Sequence, residues 1–501
     1  MTNENWGLTE LPKGWLWTDF ESISEELKAG GTPLTRIREY YDDGNIPFVK
    51  IEDIVGSSKY LYGTKTRITE QGLRNSSAWL VPRDSLLYSM YASYGEPIIN
   101  KIEVATSQAI IAYIPPQGLI VLDYVYYYLK KVRTELTTRG TTQKNLNAQI
   151  VKRIPIPLAP FNEQVRIVAK LEELFTSLDA GVEGLRKVKA QLKRYRQAVL
   201  KYAFEGKLTE EWRRTHKHET EPASLFLERL ISERKKEFSR AKEANLLEVP
   251  NSPPLPDGWS WSNLERLSQD IIDCLHSTPS FTETGKYCVD TNCIEQNRII
   301  LDKARFVSEE TFRERVRRLV PKAGDVLFAR EGTIGTAVVV PENMELCLGQ
   351  RMMLFRPANE ILSAYFMWGL LSPIFESQWK PKVMGTTAPH VNIRDLKQMY
   401  LPLTCPEEQR VIVNEIETHT SIIYQAEANV DKSIKQVERL RQSILASAFE
   451  GKLVPQDPND EPAEELLERI REERAKSKGE KDTNRRRENK PRQLELSTYV
   501  K

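Results

Sequence analysis

Hydrophobic positions follow a seven-residue period in two separate stretches of the chain. The first row is Leu178, Leu185, Leu192 and Val199, and a companion row three residues later holds Val188, Tyr195 and Tyr202. The second row is Ile423, Val430, Val437 and Ile444, with a weaker companion row of Ala426, Ser433, Leu440 and Ser447. This period predicts two long helices that pair along the seam formed by the two main rows. The alternative is that each helix packs only on the globular region that precedes it.

Both helices also carry signals for their ends. Asn162, or Pro406 in the second stretch, precedes a Glu-Gln pair, as is typical of a helix N-terminus. Gly206 and Gly451 are expected to end the helices. If the helices run antiparallel, the ~27 residues from Leu178 onward at about 1.5 Å each would span roughly 40 Å. That span is close to the ~34 Å between DNA half-sites one helical turn apart.

The regions before the helices, which we call the heads, combine short apolar runs with turn signals. Strands are predicted by β-branched and aromatic content at residues 46–51, 107–114, 325–329 and 351–355. Between them lie short helical stretches and Gly, Pro, Asn and Asp turns. Each head is therefore predicted to be a mixed α/β domain.

Four short landmarks occur twice in the same order, which indicates an internal duplication. They are Leu-Pro-x-Gly-Trp (11–15 and 255–259), Gly-Thr-Thr (140–142 and 385–387), Ala-Phe-Glu-Gly-Lys-Leu (203–208 and 448–453) and Glu-Pro-Ala (221–223 and 461–463). The helical stretches match closely, whereas the heads match only at landmarks. One part of the unit is constant, and the other is free to differ.

The predicted fold class is α+β, with two mixed heads alternating with two long helices that pair as an antiparallel coiled coil in a pseudo-two-fold circular arrangement. We expect a first head at 1–158, a central helical region at 159–250 with a long spacer helix at 162–205 and a shorter helix, and a second head at 251–404. A C-terminal helical region at 405–475 and a charged, disordered tail at 476–501 complete the predicted organisation.

Charge and cysteine content narrow the possible functions only moderately. The 72 basic and 70 acidic side chains give a net charge of +2, so any polyanion-binding surface must be local. All five cysteines lie in the second copy, which argues against a duplicated disulfide framework and favours a reducing, cytoplasmic setting. The sequence shows neither an export signal nor 18 consecutive apolar residues, so no membrane association is expected.

The order head, helix, head, helix, together with these landmarks and the Glu-Gln-x3-Val motif at Gln164 and Gln409, resembles the specificity subunit of type I restriction-modification enzymes. The resemblance covers nearly the whole chain. It implies that the heads are target recognition domains, each reading one half of an asymmetric, bipartite site in double-stranded DNA. It also implies that the paired helices dock two modification (methyltransferase) subunits, in a complex that includes two restriction (motor-nuclease) subunits.

The same resemblance places catalysis on the partners, which would carry S-adenosylmethionine, ATP and Mg²⁺, with no cofactor on this chain. The sequence agrees, because it contains no Asp/Asn-Pro-Pro-aromatic motif and no phosphate loop ending in Gly-Lys-Ser/Thr. Cys288 and Cys293 have the wrong separation for a zinc knuckle, and the Gly332–Gly335 segment is expected to be a tight turn. No catalytic or metal-binding residue is predicted.

Candidate DNA contacts lie in the Gly-Thr-Thr loops and at the ends of two apolar strands, where hydroxyls, amides and cations could bind phosphates or base edges. In the first head they are Lys50, Ser89, Tyr91, Thr141, Thr142, Gln143, Lys144 and Asn145. In the second head they are Arg330, Thr333, Thr386, Thr387, His390 and Asn392. Arg330 is expected to address guanine. The alternatives are that the loops are packing turns, that the tyrosines belong to the core, and that Arg330 pairs with Glu331.

Two hypotheses of different classes follow. The first is a non-catalytic DNA-recognition subunit that directs adenine-N6 methylation and cleavage by its partners. The second is a two-headed scaffold or adaptor that binds proteins without DNA specificity. A self-contained nuclease or methyltransferase is disfavoured by the missing motifs.

Overall fold

The computed structural model describes residues 9–55, 57–90, 95–138, 147–216, 220–237 and 254–488. These residues form two compact units, of which the first comprises residues 1–183 and 433–501 and the second residues 184–432. Both long helices are divided between the units. Each unit therefore contains one head, the first part of one long helix and the last part of the other.

The first head is built from short strands and four helices. Its strands are β1 (Leu16–Asp19), β2 (Glu26–Ala29), β3 (Ile46–Val49), β4 (Tyr60–Leu61), β5 (Thr66–Ile68), β6 (Leu80–Val81), β7 (Leu86–Ser89), β8 (Pro97–Asn100), β9 (Val104–Thr106), β10 (Ile110–Ile114) and β11 (Pro155–Leu158). Its helices are α1 (Ile51–Ile54), α2 (Glu70–Arg74), α3 (Leu122–Thr138) and α4 (Ala148–Lys152). The strands form a five-stranded sheet of order β2-β10-β7-β8-β4, a four-stranded sheet of order β5-β3-β9-β6 and the pair β1-β11. Strands β7 and β8 are buried along their whole length.

Between the heads, residues 159–216 and 220–237 are described, and they contain three helices. They are the first long helix α5 (Phe161–Phe204), α6 (Glu210–His216) and α7 (Ala223–Glu237).

The second head repeats this plan with different strand lengths. Its strands are β12 (Ser260–Asn263), β13 (Ser268–Asp273), β14 (Phe281–Thr282), β15 (Lys286–Val289), β16 (Ile294–Glu295), β17 (Arg298–Ile299), β18 (Arg305–Val307), β19 (Val326–Ala329), β20 (Ala337–Val339), β21 (Leu346–Leu348), β22 (Met352–Pro357) and β23 (Tyr400–Leu403). Its helices are α8 (Leu264–Leu267), α9 (Glu309–Arg315), α10 (Ser363–Leu370), α11 (Pro373–Trp379) and α12 (Ile393–Gln398). The two larger sheets have the orders β13-β22-β19-β20 and β14-β18-β15-β21. The four strands predicted from the sequence are present, with bounds shifted by at most three residues.

The chain continues with the second long helix α13 (Pro406–Phe449) and with α14 (Ala463–Glu488). Helix α14 corrects the prediction of a disordered tail from residue 476, because the helix continues to Glu488, thirteen residues beyond the predicted boundary at 475. Glu, Lys and Arg are good helix formers, and their alternating charges can pair along a helix without any apolar face. Residues 489–501 lie outside the described part of the chain.

The two long helices pair antiparallel within each unit. In the second unit, Lys189 Nζ contacts the Asp431 carboxylate at 2.6 Å and Arg196 Nη1 donates to the Tyr424 hydroxyl at 3.3 Å. The partner number falls as the helix number rises, which defines the antiparallel direction. In the first unit Arg441 pairs with Asp179. Adding 245 to Arg196 gives Arg441, and adding 245 to Asp179 gives Tyr424. The two contacts therefore join equivalent positions, and the helix pairing follows the same duplication as the sequence.

The main row of the predicted seam is more buried than the companion row of the first helix. All eight main-row residues are buried or half-buried: Leu178, Leu185, Leu192, Val199, Ile423, Val430, Val437 and Ile444. Val188, Tyr195 and Tyr202 are instead 42%, 47% and 48% exposed. Tyr195 nevertheless reaches the partner helix, because its hydroxyl lies 3.1 Å from His419 Nδ1. A further row that faces the partner helix follows each main-row residue by four positions, because a seam alternates three-residue and four-residue steps. It contains Val182, Lys189 and Arg196, so polar side chains interrupt the apolar contact.

The repeated Trp and Glu landmarks join each head to its long helix. The indole Nε1 of Trp15 donates to the Glu163 carboxylate at 2.8 Å, and Trp259 donates to Glu408 at the same distance. Glu408 also accepts from Thr209 and from the Arg213 guanidinium, whereas one Glu163 oxygen is buried without a partner. The Trp and Glu landmarks therefore occur twice because each head is joined to its long helix by the same contact.

The adjacent glutamines complete this joint. Gln164 accepts from the backbone N–H of Val121 at 3.1 Å and donates to the carbonyl of Ala159 at 2.9 Å. Gln409 makes the equivalent pair of bonds, with the backbone of Leu362 and Thr404. Each amide thus ties the first turn of a long helix to the head that precedes it.

The end of each long helix packs on a head that is distant in sequence. Gly206 has a φ of +71°, and a Cβ there would lie 2.5 Å from the Cγ of Pro256 in the second head. Gly451 has a φ of +68°, and a Cβ there would lie 2.2 Å from the Cγ of Pro12 in the first head. Glycine is required at both turns for its conformation and its lack of a side chain. The C-terminal region therefore closes the unit that contains the first head.

Aromatic residues from these helix ends complete the two cores. The Phe449 ring lies 5.1 Å from that of Tyr124, and Phe204 lies 5.1 Å from Tyr365. The tyrosine hydroxyls donate to backbone carbonyls of the exit strands β11 and β23. Each core is therefore shared between a head and helices from elsewhere in the chain.

Candidate nucleic-acid interface

The second head brings together two loops that the sequence singled out separately. One is the turn from Arg330 to Thr336 between β19 and β20, and the other is the Gly-Thr-Thr loop from Met384 to His390. Met384 and His390 exchange backbone hydrogen bonds of 2.9 Å, which closes the second loop. Gly332 N–H donates to the carbonyl of Pro389 at 2.9 Å, and this hydrogen bond joins the two loops.

An open groove of about 690 Å³ lies against these loops, and we call it the second-head groove. Most of its lining residues have polar or charged side chains. The residues are His276, Arg330, Glu331, Gly385, Thr386, Thr387, Ala388, His390 and Asn392. Thr386, Thr387, His390 and Asn392 were all predicted as contacts, and the fold places them on one surface.

The Gly-Thr-Thr turn depends on its glycine. Gly385 has a φ of +86°, and a Cβ there would lie 2.7 Å from the carbonyl oxygen of Ala388. This geometry leaves Thr386 and Thr387 exposed at the tip of the loop. Their hydroxyls and backbone N–H groups are of the kind that binds phosphate oxygens.

Arg330 is buried, which corrects both predictions made for it. Its Nε and Nη2 donate to the two carboxylate oxygens of Asp273 at 2.8 and 2.9 Å. Its side chain is only 7% exposed, so it neither pairs with Glu331 nor presents its fork to a guanine. Val391 N–H donates to the Arg330 carbonyl at 3.0 Å. Arg330 therefore positions the two loops from beneath the groove.

His276 was missed by sequence reasoning and lies at the edge of the same groove. Its Nε2 lies 2.9 Å from an Asp273 carboxylate oxygen and 3.1 Å from Arg330 Nη2. The Gln350 side chain donates to the His276 carbonyl at 2.6 Å. The side chain is 64% exposed, so an oriented imidazole faces solvent. Nothing in the sequence distinguished it from the other histidines.

The remaining candidates of the second head border the groove. Thr333 is exposed at the tip of its turn, and its carbonyl accepts from the Thr336 hydroxyl at 3.1 Å. Glu331 lies 3.9 Å from the guanidinium of Arg351, which is half exposed. An acidic group in the groove disfavours a purely phosphate-binding surface, and it can accept from the amino group of a base.

The structure describes two of the candidates of the first head, Ser89 and Lys50. Ser89 is buried, and its hydroxyl accepts from the backbone N–H of Glu96 at 3.0 Å, so it closes a turn rather than facing a ligand. Lys50 is half-buried, and its backbone N–H donates to the Asp53 carboxylate at 2.8 Å at the start of α1. The others lie outside the described residues, namely Tyr91, Thr141, Thr142, Gln143, Lys144 and Asn145.

The strand register shows which residues correspond in the two heads. Ser89 pairs with Ile110 as Ala329 pairs with Met352. The carbonyl at each strand end accepts from a backbone N–H six residues later, Gly95 for Ser89 and Gly335 for Ala329. By the same register, Met90 in the first head corresponds to Arg330 in the second. Ala29 in the first head corresponds to Asp273 in the second. Met90 is 3% exposed. A buried ion pair in one head replaces an apolar contact in the other.

Within the described part of the chain, no cluster of three or more His, Cys, Asp or Glu side chains could hold a metal ion. All five cysteines are buried. No described helix combines the length and the apolar character needed to cross a membrane.

The structure has two α+β heads on paired helices, and one head carries an open groove lined mostly by polar side chains. This architecture is that of a two-headed binding protein. Residues 15–188 and 276–436 match the family model for the type I restriction modification DNA specificity domain. The chain belongs to this family.

Characterised relatives align along almost the full chain. The type I restriction enzyme EcoBI specificity subunit of Escherichia coli is 24% identical over 493 residues, which cover 95% of each chain. The EcoKI specificity subunit of Escherichia coli strain K12 is 22% identical, covering 94% of this chain and 98% of its own.

A chain from a structure of a type I restriction-modification system matches with a TM-score of 0.59 at 18% identity. The match covers 89% of this chain and 100% of that chain. This confirms the fold class.

Proposed function

We propose that this chain is the non-catalytic DNA-recognition subunit of a type I restriction-modification complex, and that its two heads read the two halves of an asymmetric bipartite target. Adenine-N6 methylation and cleavage are then performed by two modification and two restriction subunits. These partners carry S-adenosylmethionine, ATP and Mg²⁺, and the complex acts in the cytoplasm.

The observation that carries this proposal is the second-head groove. It joins two loops that are distant in sequence and exposes two threonine hydroxyls, an imidazole and an amide at one surface. Such groups suit double-stranded DNA, because hydroxyls and backbone N–H groups bind phosphates while His and Asn read base edges. A protein-binding adaptor would need no cluster of this kind.

The asymmetry of the target follows from the difference between the heads. The first head has Met90 and Ala29 at the positions where the second has Arg330 and Asp273. Loops supported by such different contacts present different surfaces. We therefore expect the two half-sites to differ in sequence.

The test is to produce the chain with its modification partner and to map methylated adenines in genomic DNA. We expect one split, asymmetric motif, and changes at Thr386→Ala and Thr387→Ala together should weaken or relax only one half-site. Thr418→Ala is the matched control, because Thr418 is an exposed threonine on α13, outside the heads. Methylation with no sequence preference, or relaxation of both half-sites, would contradict the proposal.

Gel shifts with duplex DNA discriminate against the adaptor. A DNA-reading complex should lose affinity steeply as salt is raised, since phosphate contacts release counterions. An adaptor should give no shift at any salt concentration.

A further inference from the structure

A second, smaller cavity lies in the second unit between the long helix α5, the β19–β20 turn and helices α10 and α11. Its volume is about 150 Å³. One water needs about 10–15 Å³ of such space, so the cavity could hold a molecule of several heavy atoms. Its lining residues are Arg196, Gln197, Leu200, Asn297, Ile334, Gly335, Trp368, Leu370, Leu371, Glu376 and Trp379.

Three of these residues have buried polar atoms without a partner. They are the indole Nε1 groups of Trp368 and Trp379 and the side-chain oxygen of Gln197. Trp368 is only 5% exposed, so water outside the protein does not reach it. Buried polar groups are nearly always hydrogen-bonded, and the two indole N–H donors at one cavity indicate an occupant that can accept hydrogen bonds from them.

The charges around the cavity favour an anion. The Arg196 guanidinium bonds to the Tyr424 hydroxyl at 3.3 Å, and no carboxylate among the described residues pairs with it. The one acidic lining residue, Glu376, lies 3.3 Å from Lys380. A guanidinium without an acidic partner and two indole N–H donors together can hold a carboxylate.

The rest of the lining favours an organic molecule over an inorganic ion. Leu200, Ile334, Leu370 and Leu371 contribute apolar walls beside the two indole rings. Apolar walls with a few placed polar groups are typical of small-molecule sites. We propose that this cavity binds a small organic carboxylate, with its carboxylate on Arg196 and the indole N–H groups and its apolar body on the leucine and isoleucine side chains.

A ligand bound in the cavity would affect the second-head groove through one turn of the backbone. Ile334 and Gly335 line the cavity and belong to the turn that begins at Arg330. Gly335 has a φ of +91°, and a Cβ there would lie 3.0 Å from the Trp379 ring, so turn and ring are closely packed. The effect on DNA binding rests on the proposed function, whereas the carboxylate site does not.

The test is isothermal titration calorimetry of the full chain, without DNA, with benzoate and 3-methylbutanoate as probes. Benzamide serves as the neutral analogue of benzoate, and phosphate as the inorganic anion. We expect saturable binding of at least one carboxylate with one site per chain, and at least tenfold weaker binding of benzamide and phosphate. Absence of saturable binding by both carboxylates would overturn the site and indicate that water fills the cavity.

Two variants locate the binding. Arg196→Met and Trp368→Phe should each weaken carboxylate binding at least tenfold, whereas Arg186→Met, at an exposed arginine on the same helix, should not. Circular dichroism checks that each variant is folded, and Arg196→Lys, which keeps the charge, should bind better than Arg196→Met. Equal binding by Arg196→Met and the unaltered chain would place the ligand elsewhere and refute the proposal. Because no DNA is present, this outcome is independent of the proposed function.

Discussion

The two heads share their attachment to the helices but differ where a ligand would be read. Trp15 with Glu163 and Trp259 with Glu408 make the same contact at the same distance. Under the corresponding turns, however, the second head buries Arg330 on Asp273, while the first has Met90 and Ala29 at the corresponding positions. The duplicated chain thus preserves the geometry of attachment and leaves the reading surface free to change. Replacing one partner of a buried ion pair is also more destabilising than replacing one partner of an apolar contact.

The largest effect should come from breaking this ion pair. Asp273→Ala leaves the Arg330 guanidinium buried without its partner, and we expect a loss of about 3–5 kcal/mol in the free energy of unfolding. Denaturant titration measures it. The double variant Asp273→Ala/Arg330→Met, which reproduces the residues of the first head, should recover most of the stability. If the single variant cost less than about 1 kcal/mol, the pair would not be the buried contact described.

The same double variant sharpens the comparison at the level of function. It should restore stability without restoring recognition, because it removes the groups that orient His276 beside the groove. We expect methylation at one half-site to fall or relax while the other is unchanged. Recovery of the original motif would show that the ion pair serves stability alone.

The helix seams of the two units should respond unequally. Ile423 is 1% exposed in the second unit, whereas its counterpart Leu178 in the first is half-buried. Ile423→Ala should therefore cost about 2–5 kcal/mol of unfolding free energy, and Leu178→Ala less. Equal losses in denaturant titrations would mean that the two halves of the seam pack equally well.

The two glutamates of the joints should respond differently to replacement by glutamine. Burial raises the pKa of the Glu163 carboxyl, although the Trp15 N–H and the Arg166 charge oppose the shift. The neutral form is thus favoured in the folded state, and the stability it supplies is lost as pH rises from the unfolded pKa through the folded one. Glu163→Gln should flatten the dependence of unfolding free energy on pH above about 4.3. No change in that slope would show that Glu163 ionises freely.

Glu408→Gln is the comparison, because Glu408 pairs with Arg213. Removing the charge weakens that bond, and we expect a loss of about 1–3 kcal/mol at neutral pH. A gain in stability from Glu408→Gln would contradict the difference between the joints.

The smallest effect should come from an exposed contact between the helices. Arg441 pairs with Asp179 in the first unit, and the Asp179 side chain is 72% exposed. Arg441→Ala should cost about 0–1 kcal/mol, and the Coulombic part should disappear at high salt. A larger, salt-independent loss would assign the effect to the packing of Arg441 on the Phe175 ring, which lies 5.2 Å away.

The features of the fold that could be predicted from the sequence are those that depend on a local hydrophobic period or on the internal duplication. The main seam rows, the ends of the long helices and the four strands could be read because apolar spacing reports which face of an element is buried. The contacts of Lys189 and Arg196 with the partner helix could not be read, because polar residues leave no trace in an apolar pattern. The part of helix α14 beyond residue 475 was missed because a charged segment without apolar spacing resembles a solvated coil.

The candidate site was predicted only in part, for a different reason. Thr386, Thr387, His390 and Asn392 were found because they follow a repeated landmark. The roles of Arg330 and His276 depend on Asp273, which is far from Arg330 in the chain and adjacent to it only through the pairing of β13 with β22. No local pattern records such a contact.

The interleaving of the two units also sets an order for their synthesis. The second unit is one uninterrupted segment, residues 184–432, so it can fold as soon as that segment has left the ribosome. The first unit needs Phe449 and Leu466 against a core begun at Trp15, so its apolar surface stays uncovered until the last part of the chain emerges. The head made first is therefore completed last, and we expect it to be the one that depends on chaperones in the cell.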